Sequence, residues 1–502
     1  MKSLLPMKSL GPAARAAARA TCFAAALALL AAACGTDPNR ASSGGDGDGK
    51  GVTLKIWDFS AEQVDFHKKV AAEYHKQHPD VTVEWRSITQ SEYTKTLPLA
   101  FQSNQAPDIF YWSDSGPNNM NQLLEQQWIK PLTPSGTVPD DFVKRWPAGS
   151  FLDGINQSGG KTYGFPFSEN LYWGPGYMYV NKKVFGDAGL DVNNPPKTWS
   201  DLKNACAAVK EKTKAQCIAS PSKGRELQRI WGALAPGLRN EQFFDFNTGK
   251  FSLDDPAAVK TFEFIQDLNR SGYLAPGTND KDFSRQQFAA NQAAIYFDGT
   301  WMPSVWNSQG FGDDKYVVAA HPNPDSGHTG ALSRLPDGNK YWISSKTAQP
   351  GKAWDFLNWM TDPGGFFVKE YYKAGFGTLA FADNKKLVTD PALLQIMKIA
   401  ETPGYRVNLP IPVLKCPDLA KSKAYLNAIA KRPSGEYEVM VEALVGNKPL
   451  QPLAAELVKQ RQDIFEKTLS QEAAAGLKVS KDCYTFPDWT YTSDYGLDKY
   501  QR

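Results

Sequence analysis

The stretch YGFPFSENLYWGPGYMYVNKKVFGDAGL, residues 163–190, decides how the chain is organised. It opens with aromatic and proline residues, runs into GYMYVN, which has the composition of a strand, and turns into a short helix. We interpret it as the crossing from one lobe to another and as one wall of a ligand cleft. The polar and aromatic side chains of that wall are Glu169, Asn170, Tyr172 and Trp173.

Length and composition narrow the class of protein. A chain of 502 residues exceeds one ordinary domain, so two lobes are expected. The net charge is only +3, and binding to nucleic acid would require a concentrated cationic face. The 14 tryptophans and 20 tyrosines either fill a large core or form a surface for flat, half-apolar ligands.

Residues 1–33 have the pattern of a signal peptide. A region with lysines and arginines precedes the apolar run Ala20–Ala33, which is too short to span a membrane as a helix. The motif MKSL occurs at both Met1 and Met7, so either methionine could be the start. The sequence therefore predicts export.

Cys34 is the expected site of lipid attachment. The residues LAAAC, 30–34, resemble a bacterial lipobox, in which cleavage before the cysteine leaves it as a lipid-bearing N-terminus. Plain secretion with cleavage nearby is the alternative. Residues 34–51, rich in glycine, serine and aspartate, would be a flexible linker. We expect a chain anchored by lipid to the outer face of the cytoplasmic membrane.

The remaining cysteines fit an exported protein. Four are left after Cys34, and an even number outside the cell suggests two disulfides. Cys206 and Cys217 are close enough in sequence for a local bridge, and Cys416 and Cys483 would then hold the C-terminal tail. A zinc site is the rival interpretation, but CxxC pairs are missing from the sequence. No metal and no cofactor are expected.

The chain after the linker alternates strands and helices. The order strand, helix, strand, helix, strand predicts a parallel sheet covered by helices, with the strands at Val52–Phe59, Val81–Trp85 and Asp108–Trp112. Ligands of such sheets meet the loops at the carboxyl ends of strands. The residues at those ends are Trp57, Asp58, Trp112, Ser113 and Asp114.

The second half of the chain also has candidate residues at the ends of predicted strands. The strand Ala293–Phe297 ends at Asp298 and is followed closely by Trp301, and Arg225 starts a predicted helix. The run Val317–Ala320 leads into prolines, which suggests a return crossing. The predicted first lobe is 52–166 plus 321–382, and the predicted second lobe is 167–320 plus 383–502.

These segments together resemble the extracellular solute-binding proteins of ATP-driven sugar importers, the maltose-binding-like class. The pieces that match are LKIWDF from Leu54, QAPDI from Gln105, the run from Tyr163 to Leu202, FAANQAAIYFDGTW from Phe288 and AWDFLNWMTDP from Ala353. The resemblance implies a two-lobe α/β fold of the type II periplasmic-binding-protein class, with a hinge and a central cleft. It also implies a monomer that delivers a saccharide to membrane permease subunits. The segment LYWGPG, 171–176, departs from the family pattern.

Sugar chemistry explains the choice of candidate residues. A sugar ring packs its C–H face on an aromatic ring, and its hydroxyls pair with carboxylates and amides. Trp57 could equally belong to the core, and Glu169 could be a solvated loop residue. The candidate ligand-binding residues are Trp57, Asp58, Trp112, Ser113, Asp114, Glu169, Asn170, Tyr172, Trp173, Arg225, Asp298 and Trp301.

The motifs of catalysis are poorly represented. The sequence has no GxSxG and no HExxH, and GINQSGGKT at 154–162 misses the spacing of a phosphate loop by one residue and fits a hairpin better. A pair of carboxylates for glycoside hydrolysis could come from distant loops. An exported glycoside-active enzyme is therefore the alternative function, and a binding protein for a non-sugar solute is the second.

Overall fold

The computed structural model describes residues 51–112, 119–169, 171–172, 174–222, 224–277, 279–334, 340–430 and 435–500. Two four-stranded sheets dominate this part of the chain. Among the described residues, no helix combines the length and the apolar run that a membrane crossing needs.

The first sheet is mostly parallel. Val52–Asp58 lies between Val81–Ser87 and Ile109–Tyr111 and runs parallel to both, and Tyr341–Ile343 pairs antiparallel with Ile109–Tyr111. The helix Val64–Gln77 packs on this sheet with its buried face. The alternation strand, helix, strand predicted from the sequence is confirmed here.

The second sheet has the order Tyr316–Ala320, Tyr177–Asn181, Ala293–Asp298, Gln216–Ala219. Ala293–Asp298 runs parallel to Gln216–Ala219, and Tyr177–Asn181 runs antiparallel to both of its neighbours. Every residue of the two central strands is buried, because helices cover both faces of the sheet. The strand predicted in GYMYVN is thus the centre of the second sheet.

Local signals in the sequence set several helix ends. Thr198 and Asp201 form a capping box at the start of Trp199–Lys212, and aspartate side chains at 255, 280 and 390 accept hydrogen bonds from the first turns of three other helices. The helices are Val64–Gln77, Gln90–Gln102, Asn119–Glu125, Asp140–Val143, Lys182–Asp187, Trp199–Lys212, Gln228–Leu234, Pro256–Arg270, Lys281–Ala289, Met302–Ser308, Pro350–Met360, Phe366–Lys373, Pro391–Ala400, Pro412–Lys415, Ala424–Ala430, Glu436–Val445 and Leu450–Ala474.

Three small two-stranded sheets complete the topology. The hairpin expected at 154–162 is present as Gln157–Ser158 with Lys161–Thr162, and a second hairpin joins Phe244–Asp245 to Lys250–Phe251. The third pairs Leu332–Arg334 in parallel with Arg406–Asn408. This sheet pairs a segment of the predicted first lobe with a segment of the predicted second lobe. The two predicted lobes therefore share a small sheet near the crossings.

The C-terminal tail folds back onto the rest of the chain. It forms a separate apolar cluster, with Trp489 packed near Phe246. The disulfide Cys416–Cys483 ties the tail to the preceding segment, and Cys206–Cys217 joins the helix Trp199–Lys212 to the strand beside it. This is the cysteine pairing expected from the sequence spacing.

Candidate functional site

The carboxyl edge of the first sheet brings Trp112 next to Lys340. The antiparallel register places Tyr341 opposite Tyr111, so the residue before one strand lies beside the residue after the other. The backbone N–H of Trp112 donates to the carbonyl of Lys340 at 2.8 Å. The Trp112 ring is half-buried and meets the edge of the Trp128 ring with centroids 5.9 Å apart.

Asp58 at the same edge is directed into the lobe. Its side chain is 0% exposed and accepts hydrogen bonds from the indole N–H of Trp85 at 3.0 Å and the backbone N–H of Ser60 at 3.2 Å. Burial raises the pKa of Asp58 to about 6, although those hydrogen bonds oppose it. Trp57 is half-buried under the guanidinium of Arg86, 4.8 Å from the ring centroid. Asp58 therefore organises the interior of the first lobe and is not open to a ligand.

Lys340 is a buried cation at this edge. Its ammonium lies 5.0 Å from the centre of the Phe167 ring and 5.8 Å from that of Tyr111. Burial lowers the pKa of Lys340 to about 7, and the charges of Glu62 and Asp58 oppose the shift. A lysine with this pKa is partly protonated at neutral pH and is sensitive to any charge brought near it.

The carboxyl edge of the second sheet is organised by Asp298. This carboxylate is 0% exposed and lies 3.0 Å from Arg285 Nη2 and 3.1 Å from Arg229 Nε. It also accepts hydrogen bonds from the Tyr296 hydroxyl and the backbone N–H of Gly299, each at 2.9 Å. Burial alone would raise the pKa of Asp298, but the two guanidinium groups outweigh burial and hold the pKa below its usual value. Asp298 thus positions two arginines and has no lone pair turned to solvent.

Trp301 lies flat against the loop that follows Asp298. A side chain added at Gly299 would come within 2.3 Å of the Trp301 ring, so only glycine permits this contact. Trp301 is half-buried and packs against the main apolar core. Arg225, on the short helical turn Gly224–Leu227, is exposed. Of these three predicted residues, Asp298 is buried, whereas Trp301 and Arg225 retain accessible surface.

Side chains of the two lobes meet between these edges. Lys281, at the start of a second-lobe helix, donates through Nζ to Oε1 of Gln90, at the start of a first-lobe helix. Glu62 is half-buried, and its pKa is raised by burial and by the charge of Asp58, while the charge of Arg285 opposes the rise. Glu62 in the first lobe therefore faces a cation of the second lobe.

The crossing contributes a second group of charges. Glu169 lies 3.4 Å from Lys385 Nζ. Burial raises the pKa of Glu169, although the charge of Lys385 opposes this rise. The Tyr172 hydroxyl donates to Glu401 at 2.7 Å, while the Lys385 ammonium sits 5.1 Å from the Tyr172 ring. The Tyr172 side chain is only 5% exposed, so its ring is packed inside this cluster.

The structure brings some predicted residues together and separates others. Trp112 and Trp301 keep partly exposed rings, Asp58 and Asp298 are internal, and Glu169 and Tyr172 belong to the crossing cluster. The predictions for Ser113, Asp114, Asn170 and Trp173 lie outside the described residues.

Glu62, Lys340 and Arg285 did not appear among the predicted site residues. Glu62 follows the first strand by four positions, and Lys340 directly precedes an antiparallel strand. The sequence could therefore have indicated that both residues lie near strand ends. Arg285 belongs to the helix Lys281–Ala289, and only the packing of that helix on the sheet brings it to the edge.

The arrangement provides hydrogen-bonding charges and aromatic surface. A half-buried acid, Glu62, can pair with hydroxyls, and two half-buried indole rings can cover an apolar ring face. Within the described ranges, no group of three or more histidine, cysteine, aspartate or glutamate side chains could hold a metal ion. Side chains of these types can bind a polar solute.

Comparison with solved structures defines the class of this fold. A solute-binding protein from Thermotoga lettingae, solved with alpha-D-tagatose, aligns with a TM-score of 0.61 at 19% identity over 82% of this chain and 99% of that one. The GacH receptor of Streptomyces glaucescens, solved unliganded and with acarbose, gives 0.60 at 17% identity over 82% and 98%. The fold is the two-lobe α/β fold of maltose-binding-like solute-binding proteins.

A match to a family model identifies the family of the chain. The model of the family described as bacterial extracellular solute-binding protein matches residues 60–365, more than half of the chain. The chain belongs to this family. The resemblance and the fold class predicted from the sequence are confirmed.

Curated relatives are matched over part of their length. An uncharacterized ABC transporter extracellular-binding protein of Pyrococcus horikoshii is 27% identical over 267 residues, which cover 51% of this chain and 58% of the relative. The sn-glycerol-3-phosphate-binding periplasmic protein of Rhizobium meliloti is 25% identical over 272 residues, with the same two coverages. An arabinooligosaccharide-binding protein of Halalkalibacterium halodurans is 25% identical over 237 residues, 46% of this chain and 49% of the relative. The matched stretches thus span less than two thirds of these relatives.

Proposed function

We propose that this chain is the extracytoplasmic substrate-binding component of an ATP-driven carbohydrate importer. In this proposal the lobes close on a mono- or oligosaccharide, and the closed form delivers it to membrane permease subunits. The observation that carries the proposal is membership in the solute-binding family, supported by two half-buried tryptophans, Trp112 and Trp301, that follow strand ends of the two sheets.

The chemistry of the cleft supports a polyhydroxylated ligand. Trp112 and Trp301 offer partly exposed rings for the C–H faces of a sugar, and Glu62 offers an acceptor for hydroxyls. Closing two lobes around the ligand excludes water and strengthens these hydrogen bonds. Two separate rings favour an oligosaccharide over a single sugar.

The curated relatives point to the same ligand class. One is named for binding sn-glycerol 3-phosphate and another for binding arabinooligosaccharides. Both solutes carry several hydroxyl groups that can form hydrogen bonds. Lys340 and Arg285 beside Glu62 would accommodate a ligand that also carries negative charge.

The proposal includes the cellular setting. It assigns lipid attachment to Cys34, which lies outside the described residues, and an anchored monomer on the outer face of the cytoplasmic membrane. Membership in an extracellular binding family supports export. The same membership supports a protein that binds its solute without converting it.

A thermal-shift screen tests the proposal. The purified chain from residue 35 onward is heated with a panel of mono- and oligosaccharides and with sn-glycerol 3-phosphate, and each mixture is analysed for products. We expect at least one saccharide to raise the melting temperature and to be recovered unchanged. Cleavage of an oligosaccharide would replace this proposal with the glycoside-active enzyme, and a response to sn-glycerol 3-phosphate alone would replace the carbohydrate.

A further inference from the structure

A groove of about 650 Å³ runs along the outer edge of the second sheet, away from the candidate cleft. Its floor is the edge strand Tyr316–Ala320 together with His321. One wall is the loop 192–197 and the other is the helix Pro391–Ala400. None of the described residues predicted to bind ligand lines it.

The floor of the groove offers unpaired backbone. Tyr316–Ala320 is the outermost strand and pairs on one side only, with Tyr177–Asn181. Within the described residues, residues 316–321 form no backbone–backbone hydrogen bonds other than those with the strand Tyr177–Asn181. The next such hydrogen bond along the chain is donated by the N–H of Asn323 to the carbonyl of Lys197. An antiparallel edge strand turns alternate N–H and C=O groups away from its neighbour. The groove therefore contains a row of main-chain donors and acceptors.

Two buried polar side chains lie at its ends. His321 is 6% exposed and stacks on Tyr405 at 5.0 Å, and no side chain of the described residues forms a hydrogen bond with either ring nitrogen. The hydroxyl of Tyr316, 2% exposed, has no hydrogen-bond partner among the described residues. Burial lowers the pKa of His321 to about 3, so the neutral ring presents one donor and one acceptor. Buried polar groups are usually satisfied, which makes these atoms candidates for contact with a ligand.

Dimensions and charge indicate what fits. Five strand residues span roughly 17 Å, the length of an extended peptide of about five residues. Lys182 and Lys197 contribute two ammonium groups to the lining, and Asp313 contributes one carboxylate. The lining therefore favours a ligand with negative charge.

We propose that this groove docks an extended, acidic segment of a partner polypeptide, which adds to the strand Tyr316–Ala320 as a further strand. Main-chain hydrogen bonds supply affinity in this mode of recognition, and alternate side chains of the guest point to the two walls. A saccharide has no donors and acceptors at the repeat of a strand, so it would leave most of the edge unpaired. The inference concerns a surface outside the carbohydrate cleft and does not depend on the proposed function.

The first test measures binding of a defined probe. A fluorescein-labelled, N-acetylated five-residue peptide of alternating valine and glutamate is titrated with the protein, and fluorescence anisotropy is recorded. We expect saturable binding, and at least about tenfold weaker binding of the analogue that is N-methylated at alternate residues, because it cannot donate to the strand edge. A peptide of alternating valine and lysine should also bind more weakly.

The second test uses a matched pair of variants on one helix. Gln395 is exposed and lines the groove, so Gln395→Trp should fill it and weaken peptide binding at least about tenfold. Lys398 is exposed on the same helix and does not line the groove, so Lys398→Trp should bind the peptide like the unmodified protein. Absence of saturable binding up to about 1 mM peptide, or equal binding by Gln395→Trp, would overturn the proposal.

Discussion

A single buried lysine makes the stability of the folded protein depend on pH. Lys340 is 6% exposed, and its pKa falls from the ordinary 10.5 to about 7 because burial disfavours the ammonium form. The folded protein therefore releases this proton at a lower pH than the unfolded chain. By linkage, the stability contributed by Lys340 is present above the unfolded pKa and is lost as pH falls through the folded pKa.

Lys340→Met should remove this pH dependence. Between pH 7 and pH 9.5, the free energy of unfolding of the unmodified protein should rise relative to that of the variant by about 3 kcal/mol. Denaturant unfolding at the two pH values measures the difference. Lys346→Met, at an exposed lysine close by in sequence, is the matched control and should track the unmodified protein. A constant difference between unmodified protein and Lys340→Met would show that Lys340 is not a depressed titrating group.

In the proposed function, the ring of Trp301 packs against a sugar ring. Trp301→Ala removes a half-buried ring and should weaken binding of a saccharide found in the thermal-shift screen by at least about tenfold. The matched control is Trp359→Ala, since Trp359 is also half-buried and its indole donates to Gln77 at 2.9 Å, outside the cleft. Both variants should lose stability, but only Trp301→Ala should lose affinity by calorimetry. Unchanged affinity would remove Trp301 from the site.

The sequence placed Asp58 and Asp298 at strand ends, and the structure shows that both side chains are buried there. Asp58 stands at a strand end, as predicted, but it shares the buried face with Leu54 and Ile56, and this period of two was readable from the sequence. Asp298 ends a strand that is buried throughout, and its arginine partners come from two helices. Helix packing of that kind is non-local, so it could not be read from the sequence.

At the scale of elements, strands and helices were predictable and their long-range pairing was less so. The strands at 52, 81, 109, 177 and 293 and the hairpin at 157–162 follow from apolar runs and turn residues. The pairing of Leu332–Arg334 with Arg406–Asn408 was not predicted, because the two segments are far apart in sequence and each is only three residues long. The lobe boundaries drawn from the sequence stay predictions.

The two disulfides should differ in their contribution to stability. Cys416–Cys483 closes a loop with a sequence separation of 67, and Cys206–Cys217 one of 11. In the chain-entropy model these closures stabilise by about 4 and about 3 kcal/mol. Replacing both cysteines of Cys416–Cys483 by serine should therefore lower the free energy of unfolding more than the same change in the other pair.

Denaturant unfolding of the two double variants provides the comparison. The variant without Cys416–Cys483 should also expose Trp489, which packs in the cluster that this bridge holds, and its tryptophan fluorescence should shift to the red before global unfolding. A larger loss of stability in the variant without Cys206–Cys217 would contradict the loop-length account.

At the scale of the whole molecule, the fold has two lobes and two four-stranded sheets. Contacts such as Lys281 with Gln90 join the lobes, and the crossing cluster of Glu169, Tyr172 and Lys385 lies where the chain passes between them. Lobes joined by a few crossing segments can open and close as rigid bodies. This architecture is shared with the solute-binding family.

The central claim is that the cleft binds a saccharide and leaves it intact. Isothermal titration calorimetry of the protein with a saccharide from the screen tests this most directly, since it reports stoichiometry, affinity and turnover together. We predict one saturable binding event per chain, with no heat after saturation and the sugar recovered unchanged. Continuous heat with release of shorter sugars, or no binding heat for any saccharide in the panel, would contradict the account.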